Sequence, residues 1–310
     1  MNKRKIRNLF KTTQLTLMLF SVNQLVQAQS LVILGTIQDG GSPHIGCTRT
    51  CCTKKSDDKK VTSIGLIDPS VDKTWLIEAT PDISEQLRQL QQLGKSNHPA
   101  GIDGIFLTHA HIGHYSGLLF LGKEALGTSE LPVYGLPKMT GFLSSNGPWS
   151  QLVKQKNILL RTITETVPVE LSKNLNITAF RVPHRDEFSE TAGFLITGPT
   201  KKILFIPDID KWEKWNVKID SLFQAVDMAL IDGTFFNNAE IGYRDISQIP
   251  HPLVAESIEK FQYLKISDRK KIFFIHLNHT NPLLRKSSQE RKKLKKEGYN
   301  VAEFGMKFRL

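Results

Sequence analysis

The stretch Ile105-Phe106-Leu107-Thr108-His109-Ala110-His111-Ile112-Gly113-His114 carries an apolar run straight into three of the chain's nine histidines. Side chains of a strand alternate between faces, so a strand continuing to this point would aim His109 and His111 the same way. A turn after it would swing His114 toward the same pocket, with a helix over 117–125 fixing it. Neutral imidazoles are common Zn²⁺ ligands at about 2.0–2.1 Å, and three of them leave a coordination position open, as a catalytic site requires. His109, His111 and His114 are therefore read as metal ligands.

Outward from this stretch, short apolar runs recur at 31–35, 63–66, 74–78, 104–107, 131–134, 177–182, 193–196, 202–206, 228–231 and 272–275, each ending at polar residues or at Gly or Pro. Such runs predict strands of four to six residues. Apolar residues spaced three or four apart predict helices over 83–93, 117–125, 139–144, 253–264 and 287–296. The class is mixed α/β. With no short-period repeat and no low-complexity linker, the chain reads as one domain over 29–310. At 310 residues and 40% apolar composition, it is long enough to bury a substantial core.

The first 28 residues stand apart. Lys3, Arg4, Lys5, Arg7 and Lys11 precede the apolar run 15–25, and Val26-Gln27-Ala28 follows with small residues at the spacing of a signal-peptidase site. Residues 1–28 are expected to be a cleaved secretory signal, giving a periplasmic or secreted protein with no stable membrane insertion. Cleavage lowers the formal charge from +11 to +6, an excess that supports solubility and does not call for nucleic acid. The basic run 285–297 reads as a solvated helix face.

All three cysteines, Cys47, Cys51 and Cys52, lie within six residues of one another and close to His44. One imidazole and three thiolates suffice for a closed structural Zn²⁺ site. An oxidising compartment favours the alternative, one disulfide and a free thiol.

The segment THAHIGH resembles the HxHxDH signature of the metallo-β-lactamase superfamily, with Gly113 where the family usually has Asp. LGTIQDGGSPHIGC, VPHRDEFSETAGF, FIHLNHTNPLL and the closing GYNVAEFGMKFRL more particularly resemble the pyrroloquinoline quinone biosynthesis protein B family. The resemblance implies an αββα sandwich of two mixed sheets flanked by helices. It also implies a later ligand at His184, a bridging carboxylate at Asp208 with Asp210 as competitor, and a second-site ligand at His276. Relatives in this branch carry a structural zinc in the early loop. His279 is expected to face substrate or to be structural, and Arg185 to receive an anionic substrate. Asp232 is a candidate to orient a metal-bound imidazole, and His251 reads as a loop histidine near a helix cap. With Gly113 in place of Asp, only His114, His276 and a shared Asp208 remain for a second ion, so single-metal chemistry is expected.

On this reading the chain is a metal-dependent hydrolase of a small phosphodiester or ester. Zinc, one ion or two, activates a water, with iron or manganese as alternative metals. Asp208 orients or deprotonates that water, and His276 joins it among the catalytic residues. The partner is a small molecule; the oligomeric state stays open. Two rivals are an iron-dependent oxidase or hydroxylase related to quinone cofactor synthesis, and a binding protein that kept the fold without turnover.

Overall fold

The computed structural model describes residues 28–53, 56–242, 245 and 249–310, so the expected signal lies, Ala28 apart, outside the described residues. Among these, β1 (Ser30–Gly35), β2 (Ser63–Asp68), β3 (Lys73–Ile77), β4 (Ile105–Phe106), β5 (Leu131–Gly135) and β6 (Ile158–Thr162) form one sheet. The C-terminal strand β14 (Lys307–Arg309) closes it beside β1. The other sheet runs β13-β12-β11-β10-β9-β8-β7, from β7 (Pro168–Ser172), β8 (Leu175–Val182), β9 (Thr191–Thr197), β10 (Lys202–Ile206), β11 (Met228–Asp232), β12 (Ile272–Ile275) and β13 (Asn300–Val301). Both sheets are mixed: β3 to β6 and β10 to β13 pair in parallel, the remaining neighbours antiparallel.

The alternation of side chains builds the layers. In β1, Leu31 and Ile33 point between the sheets, onto Ile177, Phe194 and Phe205 of the opposite sheet. Val32 and Leu34 point the other way, under Leu87 and Leu90 of α1 (Ile83–Leu93). A strand buried on both faces reads as a continuous apolar run, which is why 31–34 shows no polar alternation. Each such fully buried Leu or Ile contributes roughly 1.5–3 kcal/mol relative to exposure. On the outer face of the first sheet α1 is joined by α2 (Ile112–Tyr115), α3 (Pro137–Ser145) and α4 (Trp149–Lys154) through Tyr115, Met139, Leu143 and Leu152. On the second sheet lie α5 (Ile219–Ala225), α7 (Val254–Phe261) and α9 (Gln289–Lys296), while α6 (Asn238–Ile241) packs through Ile241 on Phe235, Ile249 and Leu253 and α8 (Ile266–Arg269) buries no residue. Phe223, Phe261 and Leu294 pack there on the sheet's outer core. The result is the four-layer αββα sandwich.

Two local expectations change. Strand β4 ends at Phe106, so His109 and His111 sit in the loop beyond it and converge through loop geometry, not through strand alternation. The helix expected over 117–125 is absent; His114 belongs to the single turn α2, followed by a 3₁₀ stretch Ser116–Leu121. Gly117 lies so close to backbone that an added Cβ would be 2.9 Å from Ala79 O and closer still to Thr80 O. Its N–H donates to Ala79 O (2.9 Å), and Ala79 N–H donates to His114 O (2.8 Å). The segment is thus bound to the end of β3 instead of coiling freely.

The carboxyl ends of β1, β3, β4, β8, β10, β11 and β12 lead into Asp39, Glu78, His109 to His114, His184, Asp208, Asp232 and His276. Strand ends of open α/β sheets are where ligands ordinarily bind, since loops there supply side chains on a rigid base.

Candidate metal centre

His109, His111 and His184 form one group whose donor atoms all lie within 4.8 Å of one another. His109 Nε2 is 2.7 Å from His111 Nδ1, while the far nitrogen of His109 meets Thr108 Oγ1 at 2.9 Å. His111 Nε2 is 3.1 Å from Glu187 Oε2. A second group joins Asp39, His114, Asp208 and His276. Asp208 Oδ2 lies 2.9 Å from His114 Nε2 and 3.3 Å from His276 Nε2. A third places His184 and His251 on the other oxygen, Oδ1, at 3.8 and 3.4 Å. One carboxylate thus lies within 4 Å of His109, His114, His184, His251 and His276.

These donors suit a divalent ion. His114 Nε2, His184 Nδ1 and Asp208 Oδ2 are buried and make no hydrogen bond, whereas buried polar groups are ordinarily satisfied. Burial holds His109 and His111 below the usual imidazole range and brings His184 down to about 4, so all three stay neutral and free to ligate. Burial would raise the carboxyls of Asp39 and Asp208. The facing imidazoles outweigh it, His114 foremost for Asp39 and His276 for Asp208, and keep both well below the carboxylate range. His114 rises well above the usual imidazole range, because the carboxylates of Asp39 and Glu78 overcome the cost of burying its charge. A positive charge is favoured at this point of the cluster.

The supporting residues are equally ordered. Asp232 Oδ1 accepts from Thr234 N–H and Oγ1, at 2.9 and 2.7 Å, and Thr234 Oγ1 lies 2.9 Å from His276 Nδ1. Asp232 Oδ2 is 2.7 Å from His251 Nδ1. Burial opposes charge on His251, yet Asp232 lifts it to about 8. Asp210 faces away from the cluster, its carboxylate 2.7 Å from Lys214 Nζ and accepting from Lys211 N–H, so Asp208 is the strand-end carboxylate of the site.

Sequence reasoning missed three contributors. Asp39 was not among the expected ligands, and it alters the expectation of a three-ligand second site: that group has four donors. His251 was read as a loop residue. Glu78 was read only as the end of a strand; its buried carboxylate lies 3.5 Å from His114 Nδ1. For Glu78 the available signal was a carboxylate directly closing an apolar run; Asp39, four residues past the end of β1, carried no such signal.

The cysteine cluster also differs. Cys47, Cys51 and Cys52 converge as expected, but the imidazole grouped with them is His279, not His44. The His44 ring turns back over Gly40, bonds Ile45 O through Nδ1 (2.8 Å) and stacks on His279 with centroids 4.3 Å apart. All three cysteines are free thiols. Burial and the neighbouring thiols push Cys51 up to about 11, so it stays protonated at neutral pH unless a cation is bound. Burial, with the charges of His44 and Arg49, lowers His279 to about 4 and leaves it neutral.

Beside the histidine cluster opens a cavity of about 740 Å³ whose walls include His44, Arg49, Arg185, Phe235, His251 and His279. Arg185 is half exposed and lies 3.6 Å from Glu187.

The chain is similar to proteins of known sequence and structure. Coenzyme PQQ synthesis protein B of Methylorubrum extorquens strain PA1 is 25% identical over 307 residues, covering 89% of this chain and 98% of that protein. The crystal structure of Zn²⁺-bound PqqB from Methylobacterium extorquens superposes with a TM-score of 0.75 at 23% identity, covering 91% of this chain and all of the other. A diphosphatase of the PhnP family superposes with a TM-score of 0.65 at 19% identity, over 91% and 97% of the two chains. The model of the beta-lactamase superfamily domain matches residues 66–277, which span the strand ends from Glu78 to His276, and the chain belongs to that superfamily.

Proposed function

We propose that the chain is a zinc-dependent hydrolase of a small anionic ester, of the phosphodiester class, working outside the cytoplasm. The observation that carries this reading is the position of Asp208, with one oxygen toward His114 and His276 and the other toward His184 and His251. A divalent ion held there supplies Lewis-acid polarisation and a nucleophile at neutral pH. His109, His111 and His184 would hold one ion, and His114 and His276 a second, with Asp208 between them. Arg185 and Arg49 bring positive charge to the cavity wall, where a phosphate or carboxylate of the substrate would be received. His251 lines the same cavity beside Asp208, where it would face a bound substrate.

The relatives named for coenzyme PQQ synthesis favour a second reading, an oxidative step in quinone cofactor assembly. Imidazole-rich donors suit iron as well as zinc. The two readings part in one experiment: elemental analysis of the purified protein, then assay of zinc-, manganese- and iron-loaded samples on bis(p-nitrophenyl) phosphate and for oxygen uptake. Phosphodiester cleavage by the zinc form that disappears in His111→Ala supports hydrolysis. Iron as the resident metal with oxygen uptake and no cleavage overturns it.

A further inference from the structure

We infer that Asp39 is the terminal carboxylate ligand of the second metal, standing in from another strand for the side chain that Gly113 lacks. The inference rests on the proposal that the histidine cluster holds metal. An ideal Cβ built on Gly113 would lie 2.5 Å from Asp39 Cγ and 2.6 Å from Asp39 Cα. Asp39 therefore occupies the space into which a residue at 113 would project. Its Oδ1 lies 3.0 Å from His114 Nε2 and 3.1 Å from His276 Nε2. Those are the same two nitrogens that Asp208 Oδ2 faces. The four donor atoms form a closed group.

Backbone pairing sets this placement. Ile37 forms parallel bridges with both Val61 and Leu277. Gln38 N–H donates to Leu277 O at 3.0 Å, and Leu277 N–H donates to Thr36 O at 2.7 Å. The segment carrying Asp39 is thereby fastened to the residue next to His276. The turn that follows, with Gly41 at φ +70°, carries the chain away from the cluster. Gly113 and Asp39 form a reciprocal pair: the carboxylate fits because position 113 has no side chain, and the second site keeps two carboxylates to neutralise a divalent charge.

The test counts ions. Metal-free parent protein, Asp39→Ala, Asp39→Asn, Gly113→Asp and the double variant Asp39→Ala/Gly113→Asp are titrated with Zn²⁺ by calorimetry and analysed for bound metal. Circular dichroism serves as the control for folding, and any ion taken up by the cysteine cluster should be unchanged across the series. The parent is expected to take two ions in the histidine cluster. Asp39→Ala and Asp39→Asn should weaken one of them roughly tenfold or more, as loss of an anionic ligand requires. Gly113→Asp alone should also weaken it, because the new side chain collides with Asp39, whereas the double variant should regain it. An Asp39→Asn protein that is folded and binds both ions as tightly as the parent overturns the inference, as does a Gly113→Asp protein that binds the second ion more tightly. Failure of the hydrolase reading looks different: the ion counts follow this pattern while no ester is cleaved.

Discussion

The carboxylate of Glu78 lies 3.5 Å from Nδ1 of His114, the ring nitrogen turned away from Asp39 and Asp208, and both side chains are wholly buried. Glu78 holds this place in a left-handed backbone conformation, φ +77°, and His276 does likewise at φ +62°. Such conformations cost about 1–3 kcal/mol in residues other than glycine and persist where the surroundings enforce them. Two of them flank this cluster.

Glu78→Gln keeps the shape of the side chain and removes its charge. It should weaken the ion bound through His114 by about ten- to a hundredfold, the usual effect of losing a partner that orients a ligand. The His109, His111 and His184 ion should be little affected. Calorimetric titration of the metal-free variant checks this, and equal affinity at both positions would sink the orienting role.

Arg185→Ala should raise KM for an anionic ester about tenfold with kcat nearly unchanged, since a charge-assisted contact is worth about 1.5–3 kcal/mol and the residue lies away from the reacting atoms. A neutral ester should show no such change. Steady-state kinetics on the matched pair of substrates decides it; an equal effect on both substrates argues against anion recognition at this position.

Cys47→Ser and His279→Ala should each remove about one zinc and lower the thermal midpoint by several degrees, because a structural site contributes its binding energy to folding. His44→Ala should keep the zinc and lose only the ring stacking on His279. Thiol titration of the native protein is the independent check. A disulfide with one reactive thiol would rule out the metal cluster.

Glu240 ties the cavity wall together: its carboxylate accepts from Phe236 N–H at 2.6 Å, from Thr280 Oγ1 at 2.6 Å and from Asn278 Nδ2 at 3.3 Å. Burial raises its pKa from the ordinary 4.5 despite these bonds. A raised folded-state pKa means the native protein binds the proton more tightly than the unfolded chain. That contribution is present below pH 4.5 and is lost as pH rises through the folded value. The stability of the parent relative to Glu240→Gln should therefore decline as pH climbs from about 4.5 toward neutrality. Thermal melts of both proteins across that range test it, and parallel curves would contradict it.

Export carries its own expectation. The mature protein should begin at Gln29, whose backbone O accepts from Leu310 N–H at 2.9 Å and whose amide donates to Asp68. Intact-mass measurement on protein recovered from the periplasm or medium decides it. A mass that includes residues 1–28 would overturn the expectation of cleavage.

The layers of this fold were legible because strands buried on both faces, such as 31–34 and 203–206, appear as unbroken apolar runs; His109 follows from the histidine-rich end of another such run, whereas Asp208 and His276 were marked by the family resemblance. The edges were not. β6 and β7 are half exposed and α2 is one turn long, so neither periodicity nor composition marks them. The chain order also determined that three thiols lie within six residues, but not which imidazole joins them. That choice belonged to tertiary structure, which brings residue 279 across from the far end of the chain. Asp39 is the clearest case. In sequence it is a turn residue 74 positions from Gly113; only pairing of residues 36–38 with Leu277 sets its carboxylate in the space Gly113 leaves open. Metal sites at strand ends are assembled from long-range pairing, and sequence spacing reports only those donors that share one strand end.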